Sequence, residues 1–157
     1  MRHIKYKNKI YPILQTKGNA SQFAIPFAKH YCNGNGVDIG FCKDEWKYPF
    51  AIGADIADNT NNYHAFNIPD NLDYIYSSHC LEHLDDWVAA VEYWCSQLND
   101  NGVLFLYLPH PEQEYWKPWN NRKHKHVLYP DDVKKCIMAF GLLHVFCSVK
   151  DLNDSYI

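Results

Sequence analysis

The chain has 157 residues, of which 47% are hydrophobic and 21% charged, and its formal net charge at pH 7 is −3. This length suits a single domain with a core of its own, and the charge gives no global attraction for nucleic acid or for an anionic membrane. No apolar run approaches the roughly 20 residues of a membrane span, and the polar start lacks the apolar core of a signal peptide. We expect one soluble domain over residues 1–157.

The first 30 residues are rich in lysine and asparagine at the start and continue as SQFAIPFAKHY, where Pro26 interrupts a helical pattern. We expect a mobile leader followed by a flanking or lid-like helix. Short apolar runs then occur in GVDIGF and AIGADI, and each is bounded by glycine or a polar residue. Both runs are typical of short buried strands that end in a turn.

The second half of the chain alternates strand and helix patterns. LDYIYSS predicts a strand, WVAAVEYWCSQL a helix capped by Asp85 or Asp86, LNDNG a turn, and VLFLYLP a central strand. YPDDVKKCIMAFG predicts a helix with proline in its first turn and Gly141 at its end, and LLHVFCSV predicts a last strand. This alternation favours an α/β fold with a largely parallel sheet, which binds ligands at the carboxyl ends of its strands.

Polar signals follow three of the predicted strands. Asp38 and Gly40 end the first one, and the glycine lets the backbone approach a ligand closely. Asp55 ends AIGADI 17 residues later, where a carboxylate can accept both hydroxyls of a ribose. SSHCLEH follows the third strand directly.

Five segments, in order, resemble motifs of the class I S-adenosylmethionine-dependent methyltransferases, particularly the small type 11 group. They are GVDIGFCKDEW, AIGADIAD, YHAFNIPDNLDYIYSSHCLEHLDDW, LNDNGVLFLYLPHP and HVLYPDDVKKCIMAFGL. The resemblance runs from about Gly36 to about Val149. It implies a Rossmann-like, mostly parallel sheet flanked by helices, with a short C-terminus, and S-adenosylmethionine as the cofactor.

The resemblance also implies roles for individual residues. Asp38 and Gly40 are expected to line the methionine end of the cofactor, Asp55 to bind the ribose, and Ile56 to lie against the adenine. Near the adenine amino group, the family's Asp-Ala pair is replaced by His64 and Ala65, and the sulfonium or the substrate is expected to face Ser77, Ser78 and His79.

Two positions depart from the family pattern D-x-G-x-G-x-G. Cys42 and Asp44 stand where the second and third glycines usually are. A further departure is at the C-terminal end, where only DLNDSYI is left for the family's last strand. These departures motivate an alternative, a vestigial cofactor-binding module that acts as a subunit or regulator.

HCLEH, residues 79–83, also matches the H-x-x-E-H spacing of a reversed zinc-peptidase motif, with Glu82 to activate water. In such enzymes both histidines lie within a long helix, whereas His79 directly follows a strand and the long helix begins near Asp85. We therefore expect a strand-to-helix turn and no metal, and a zinc hydrolase using His79, Glu82 and His83 remains the less favoured alternative.

Three histidines are candidates to accept a proton from the methyl acceptor: His79, His110 after the fifth strand motif, and His126 before the YPDDV helix. The basic loop NNRKHKH could hold an anionic group, but a solvated loop is favoured. Tyr115, Trp116 and Trp119 could roof a substrate pocket or simply cap the sheet.

The predicted function is methyl transfer to a small-molecule or glycan-like acceptor, with no membrane partner and no strong signal for nucleic acid. The six cysteines contain no C-x-x-C pair and mostly stand among apolar or aromatic residues, as reduced thiols do, which predicts a cytoplasmic protein.

Overall fold

The computed structural model describes residues 2–13, 17–58, 60–143 and 155–157. An antiparallel hairpin of β1 (His3–Tyr6) and β2 (Lys9–Pro12) precedes helix α1 (Ser21–Ala28). The main sheet contains β3 (Gly36–Ile39), β4 (Ile52–Ala54), β5 (Leu72–Ser78), β6 (Leu98–Pro109) and β7 (Ser155–Tyr156). Helix α2 (Trp87–Ser96) lies between β5 and β6 in the chain, and α3 (Pro130–Ala139) follows β6. Short 3-10 helices span Asp44–Trp46 and Leu81–His83.

The strand order of the main sheet is β4-β3-β5-β6-β7. The first four strands are parallel, and β7 pairs antiparallel with β6. From β3 the chain crosses to β4 on one side and then returns to β5 on the other, so the strand order reverses beside β3. A crevice for ligands is expected at the carboxyl ends of the strands at such a point. The predicted α/β fold with a mostly parallel sheet flanked by helices is confirmed.

Alternating residues of the strands fill two cores, one on each face of the sheet. On one face, Ile39 and Ile75 pack with the fully buried Trp94 of α2. On the other, Tyr76 stacks between Tyr48 and Phe105, with ring centroids 4.9 and 5.5 Å apart. Such stacked pairs stabilise a core beyond the area that they bury. Both faces of the central strands are therefore covered.

Two elements near the start of the chain differ from the sequence predictions. Residues 3–12 form the hairpin where no strand was predicted. Helix α1 runs through Pro26 to Ala28, so the predicted interruption is wrong. Proline removes one intrahelical hydrogen bond, but α1 buries Ala24 and Ala28 completely, and this packing offsets the loss.

LNDNG forms the start of β6 rather than a turn that precedes it. The pairing advances by five residues on β6, from Leu98 to Val103, and by two on β5, from Leu72 to Tyr74, so the surplus residues form an irregularity within the ladder. Leu142 and Leu143, the first two residues of the predicted LLHVFCSV strand, are not in a strand, and the rest of that prediction lies outside the described residues. The short family-like last strand is present as the two residues of β7. Among the described residues, no helix is long and apolar enough to cross a membrane.

Candidate functional site

The turn after β3 lies at the carboxyl end of the sheet, where the ligand crevice is expected. Gly40 has φ +80° and Cys42 has φ +64°, both in the left-handed region that side chains disfavour. A Cβ added to Gly40 would lie only 2.6 Å from the Cβ and Sγ of Cys80, so glycine is required there for space as well as for conformation. Cys42 stands in place of a family glycine and keeps the backbone conformation that glycine usually supplies.

Asp55 follows β4 and faces this turn. Its Oδ2 accepts the Cys42 N–H at 3.0 Å, and its Oδ1 accepts the Ala57 N–H at 2.8 Å. The side chain is only partly buried, and the next residue, Ile56, is 90% exposed. The carboxylate is therefore fixed by the backbone and still open to solvent, beside an uncovered apolar side chain.

Asp38 and Ser77 face the interior of the protein. Asp38 is 1% exposed, and its Oδ2 accepts the Tyr48 N–H at 2.6 Å. Burial raises the pKa of the Asp38 carboxyl to about 7. Ser77 is fully buried, and its hydroxyl donates to the Ile39 carbonyl at 3.1 Å. In their present positions both residues brace β3 and the segment that follows it.

The other residues predicted to bind cofactor lie on two segments. Ser78 is the last residue of β5 and is partly buried. His64 exchanges two backbone hydrogen bonds with Asn67, at 2.9 and 2.8 Å. The Ala65 carbonyl accepts the Trp94 Nε1–H at 2.7 Å, which ties this turn to α2.

HCLEH forms the predicted strand-to-helix turn. The 3-10 helix Leu81–His83 follows β5, and α2 begins after Asp86, whose carboxylate accepts the Ala89 N–H. The turn also brings its ionisable side chains together. The Oε1 atom of the fully buried Glu82 lies 3.7 Å from His79 Nδ1 and 3.8 Å from His83 Nε2.

A third imidazole joins them from the basic loop. His124 Nε2 lies 3.7 Å from Glu82 Oε1, and its ring stacks on Trp116 with the centroids 5.5 Å apart. The preference for a solvated loop is wrong for His124, which is 4% exposed. The backbone N–H groups of Lys125 and His126 donate to the Glu82 carbonyl and hold the loop against the turn. No local signal marks His124, since it is 41 residues beyond His83 in the chain.

Burial sets the protonation of this cluster. Desolvation raises the pKa of Glu82 to about 8 and lowers the pKa of His79 to about 3 and that of His124 to about 4. The neighbouring imidazoles lower these two pKa values further, since His124 and His83 disfavour a positive charge on His79, and His83 disfavours one on His124. The imidazoles are therefore neutral at pH 7.

His110 and His126 occupy different settings. His110 follows β6 at the carboxyl edge and is partly buried, and its Nδ1 accepts the Glu112 N–H at 3.2 Å. His126 Nε2 lies 2.8 Å from the Leu84 carbonyl, so this nitrogen carries a proton and helps to hold the loop on the turn. Burial lowers the pKa of His110.

A family model described as a methyltransferase domain matches residues 17–152. The chain therefore belongs to the methyltransferase-domain family. The resemblance to S-adenosylmethionine-dependent methyltransferases predicted from the sequence is confirmed, and the membership implies S-adenosylmethionine as the cofactor. No curated protein matches the chain in sequence.

Solved structures of other methyltransferases share the fold of this methyltransferase domain. A SAM-dependent methyltransferase from Archaeoglobus fulgidus is 20% identical with a TM-score of 0.65, over 86% of this chain and 73% of that one. A SAM-dependent methyltransferase from Thermotoga maritima, described as a possible histamine N-methyltransferase, is 15% identical with a TM-score of 0.60, over 89% and 80%. A Haloferax volcanii methyltransferase in complex with the Trm112 methyltransferase activator is 15% identical with a TM-score of 0.60, over 86% and 75%.

Two of the three aromatic residues for which the sequence allowed either a pocket roof or a sheet cap, Tyr115 and Trp116, pack against neighbouring rings in this methyltransferase domain. Trp116 contacts His124 by stacking and His79 by its edge, and Tyr115 contacts Tyr11 of the hairpin at 5.7 Å between centroids. Trp119 is 66% exposed. The segment after β6 thus links the hairpin to the turn that follows β5.

Proposed function

We propose that the chain transfers a methyl group from S-adenosylmethionine to a small-molecule or glycan-like acceptor, in the crevice at the carboxyl ends of β3, β4 and β5. The observation that carries the proposal is the carboxylate of Asp55, which two backbone N–H groups fix at the end of β4 while it stays open to solvent. A carboxylate fixed in this way can accept hydrogen bonds from both hydroxyls of a ribose without first being ordered.

The residues around Asp55 fit a nucleoside. Ile56 is an exposed apolar side chain next to the carboxylate, and contact with an adenine ring would remove its surface from water. Cys42 adopts, at φ +64°, the left-handed backbone conformation that a glycine would favour there, and its side chain is exposed. The altered glycine pattern therefore leaves the turn able to accept a ligand, which supports an active enzyme over the vestigial alternative.

The remaining predicted residues have assisting roles in this proposal. Asp38 would order the segment after β3 through the Tyr48 N–H, and Ser77 would hold β5 against β3. Ser78 ends β5 at the crevice, and His64 and Ala65 form the tight turn near the adenine side. Contact of these residues with the cofactor stays a prediction.

When bound, S-adenosylmethionine supplies a methyl carbon that its positive sulfur already activates. The protein is left to hold the acceptor in line with that carbon, an effect that can supply roughly 7 to 11 kcal/mol in well-oriented systems. Because His110 Nδ1 accepts a hydrogen bond, its neutral ring carries the proton on Nε2. In this tautomer His110 would donate a hydrogen bond to the acceptor rather than take its proton. His79 and His126 remain the other candidates from the sequence.

The same proposal includes a small acceptor rather than a nucleic acid, and a cytoplasmic location for the chain. The net charge of −3 offers no broad basic surface for a nucleic acid backbone. The five cysteines among the described residues are all free thiols, as a reducing compartment favours.

Calorimetric titration with S-adenosylmethionine, and separately with its demethylated product, tests the proposal. We expect micromolar affinity, or roughly −8 kcal/mol, and a loss of about tenfold to a hundredfold in Asp55→Ala, because charge-assisted hydrogen bonds are among the stronger ones. Asp58→Ala is the matched control, since it removes an acidic side chain from the same loop. Its affinity should equal that of the wild type.

Equal losses in both variants would show that Asp55 acts only through its charge at a distance, and the ribose assignment would fall. Absence of binding to the wild type would overturn the proposal as a whole. Cofactor binding without methyl transfer to any member of a broad acceptor panel would favour the vestigial module instead.

A further inference from the structure

The Glu82 carboxylate is buried without the contacts that a buried charge requires. The side chain is 0% exposed, and neither of its oxygens has a hydrogen-bond partner among the described residues. A buried carboxyl in such a setting either keeps its proton or, when ionised, needs a cation or several hydrogen-bond donors beside it. Three imidazole nitrogens face its Oε1 atom at 3.7 to 3.8 Å, too far for hydrogen bonds.

The tautomer of His83 favours a metal ligand in this place. His83 Nδ1 lies 2.8 Å from the Lys123 carbonyl, so the proton of the neutral ring must be on Nδ1. The Nε2 atom that faces Glu82 then carries a lone pair. Two lone pairs, one on this nitrogen and one on a carboxylate oxygen, repel each other unless a cation or a proton lies between them. A hydrogen bond from the second ring nitrogen to a backbone carbonyl is the usual arrangement of a metal-binding histidine.

The spacing of the atoms fits a small divalent ion. Ligand atoms of Glu82, His83 and His124 all lie within 4.8 Å of one another. Around a tetrahedral zinc ion with bonds of about 2.0 to 2.1 Å, two ligand atoms are roughly 3.3 Å apart. The distances of 3.8 Å for His83 and 3.7 Å for His124 to the carboxylate oxygen exceed this value by a few tenths of an ångström. Metal binding would draw both imidazole nitrogens toward the carboxylate oxygen by this amount, and would also bring the two nitrogens, which lie within 4.8 Å of each other, closer together.

We propose that Glu82, His83 and His124 bind a divalent transition metal, with zinc as the ion that two imidazoles and a carboxylate favour. His79, whose Nδ1 faces the same oxygen, lies beside the ion as a fourth candidate ligand. The metal would join the turn after β5 to the loop that carries His124, two segments that backbone hydrogen bonds and the contacts of the His83 and His126 rings with carbonyl groups also hold together.

The site differs from that of a zinc hydrolase. Glu82 would bind the metal itself, so it could not activate water as the glutamate of an H-x-x-E-H peptidase does. Exposure of the side chains is 0% for Glu82, 3% for His124 and 32% for His83, so water and substrate have little access. A structural ion at the rim of the crevice agrees with this burial.

Metal analysis of the untagged full chain, purified and then equilibrated with zinc and desalted, tests the proposal. We expect one zinc per chain, a higher melting temperature with zinc than with chelator, and a tetrahedral cobalt absorption band when cobalt replaces zinc. Glu82→Gln and His124→Gln should each weaken zinc binding about 100-fold, because loss even of outer partners of a metal site costs 10–100-fold. His30→Ala removes an exposed histidine outside the cluster and should bind zinc as the wild type does.

Glu82→Gln keeps the shape of the side chain and removes its charge, so a folded variant is expected and its melting temperature should no longer respond to zinc. A wild-type protein without stoichiometric zinc binding would overturn the proposal. Equal zinc affinity in the wild type and in both glutamine variants would do so as well. None of these readouts depends on methyl transfer, so the proposed function can fail while the metal site stands.

Discussion

At the scale of single residues, the buried carboxyl of Asp38 makes folding stability depend on pH. Its folded pKa of about 7 lies above the ordinary value of 3.8, so the folded chain holds a proton that the unfolded chain releases. The resulting stabilisation is complete below about pH 4 and disappears as the pH rises through 7. The charged form is left in a site where the Tyr48 N–H offsets only part of the cost of burial.

We expect Asp38→Asn to remove this dependence, since the amide has no charge to bury. Between pH 4 and pH 8 the wild type should lose about 2–4 kcal/mol of unfolding free energy relative to the variant. Urea denaturation of both proteins at several pH values measures the difference. Asp70→Asn, at an exposed position, should follow the wild-type curve. A constant difference between the wild type and Asp38→Asn across this range would contradict the assigned pKa.

Gly40 shows how conformation and space combine at one position. Gly40→Ala should lose about 1–2 kcal/mol for the left-handed backbone and a further 1–3 kcal/mol for the contact with Cys80. Gly141→Ala separates the two effects, because Gly141 has φ +90° and no atom within 4 Å of the added Cβ. Chemical denaturation should therefore show a clearly larger loss for Gly40→Ala. Similar losses in the two variants would mean that Cys80 moves aside without strain.

At the scale of elements, local sequence patterns correctly predicted several strands and helices. Alternation of apolar residues predicted β3, the strand-forming residues of LDYIYSS predicted β5, and the proline, acidic turn and glycine predicted α3. The hairpin was missed although Lys7 and Asn8 both adopt positive φ, as a two-residue hairpin turn requires. The polar and apolar residues of β1, HIKY, do alternate, but four residues are too short a run to decide between strand and loop, and the segment on which the hairpin packs is more than 100 residues away in the chain.

Some residues of the candidate site could be predicted from their own segment of sequence, and others could not. The position of Asp55 after a glycine-containing strand was readable from the sequence because a short segment sets both its place and its backbone contacts. The gathering of His124 with Glu82 was not readable, because it depends on how a loop after β6 folds back on the turn after β5. Contacts between distant segments leave no periodic trace in the sequence of either one.

At the scale of the whole molecule, the segment after β6 connects parts that are far apart in the chain. Its Tyr115 contacts Tyr11 and Tyr6 of the hairpin, and its Asn120 accepts a hydrogen bond from the Tyr6 hydroxyl at 3.0 Å. Its later part carries His124 to the turn after β5. The hairpin thus packs on the same segment that contacts the turn after β5, although it forms no part of the main sheet.

This arrangement predicts that the hairpin and the segment after β6 stabilise each other through the pair Tyr11 and Tyr115. Tyr11→Ala should cost about 3–5 kcal/mol, since a fully buried aromatic ring is lost. Combined with Tyr115→Ala, it should show a coupling energy of about 0.5–1.5 kcal/mol in a double-mutant cycle measured by urea denaturation. Phe50→Ala, which removes a fully exposed ring, should instead add to Tyr11→Ala without coupling. If the tyrosine pair were also additive, this contact would not couple the hairpin to the segment after β6, and the prediction would be wrong.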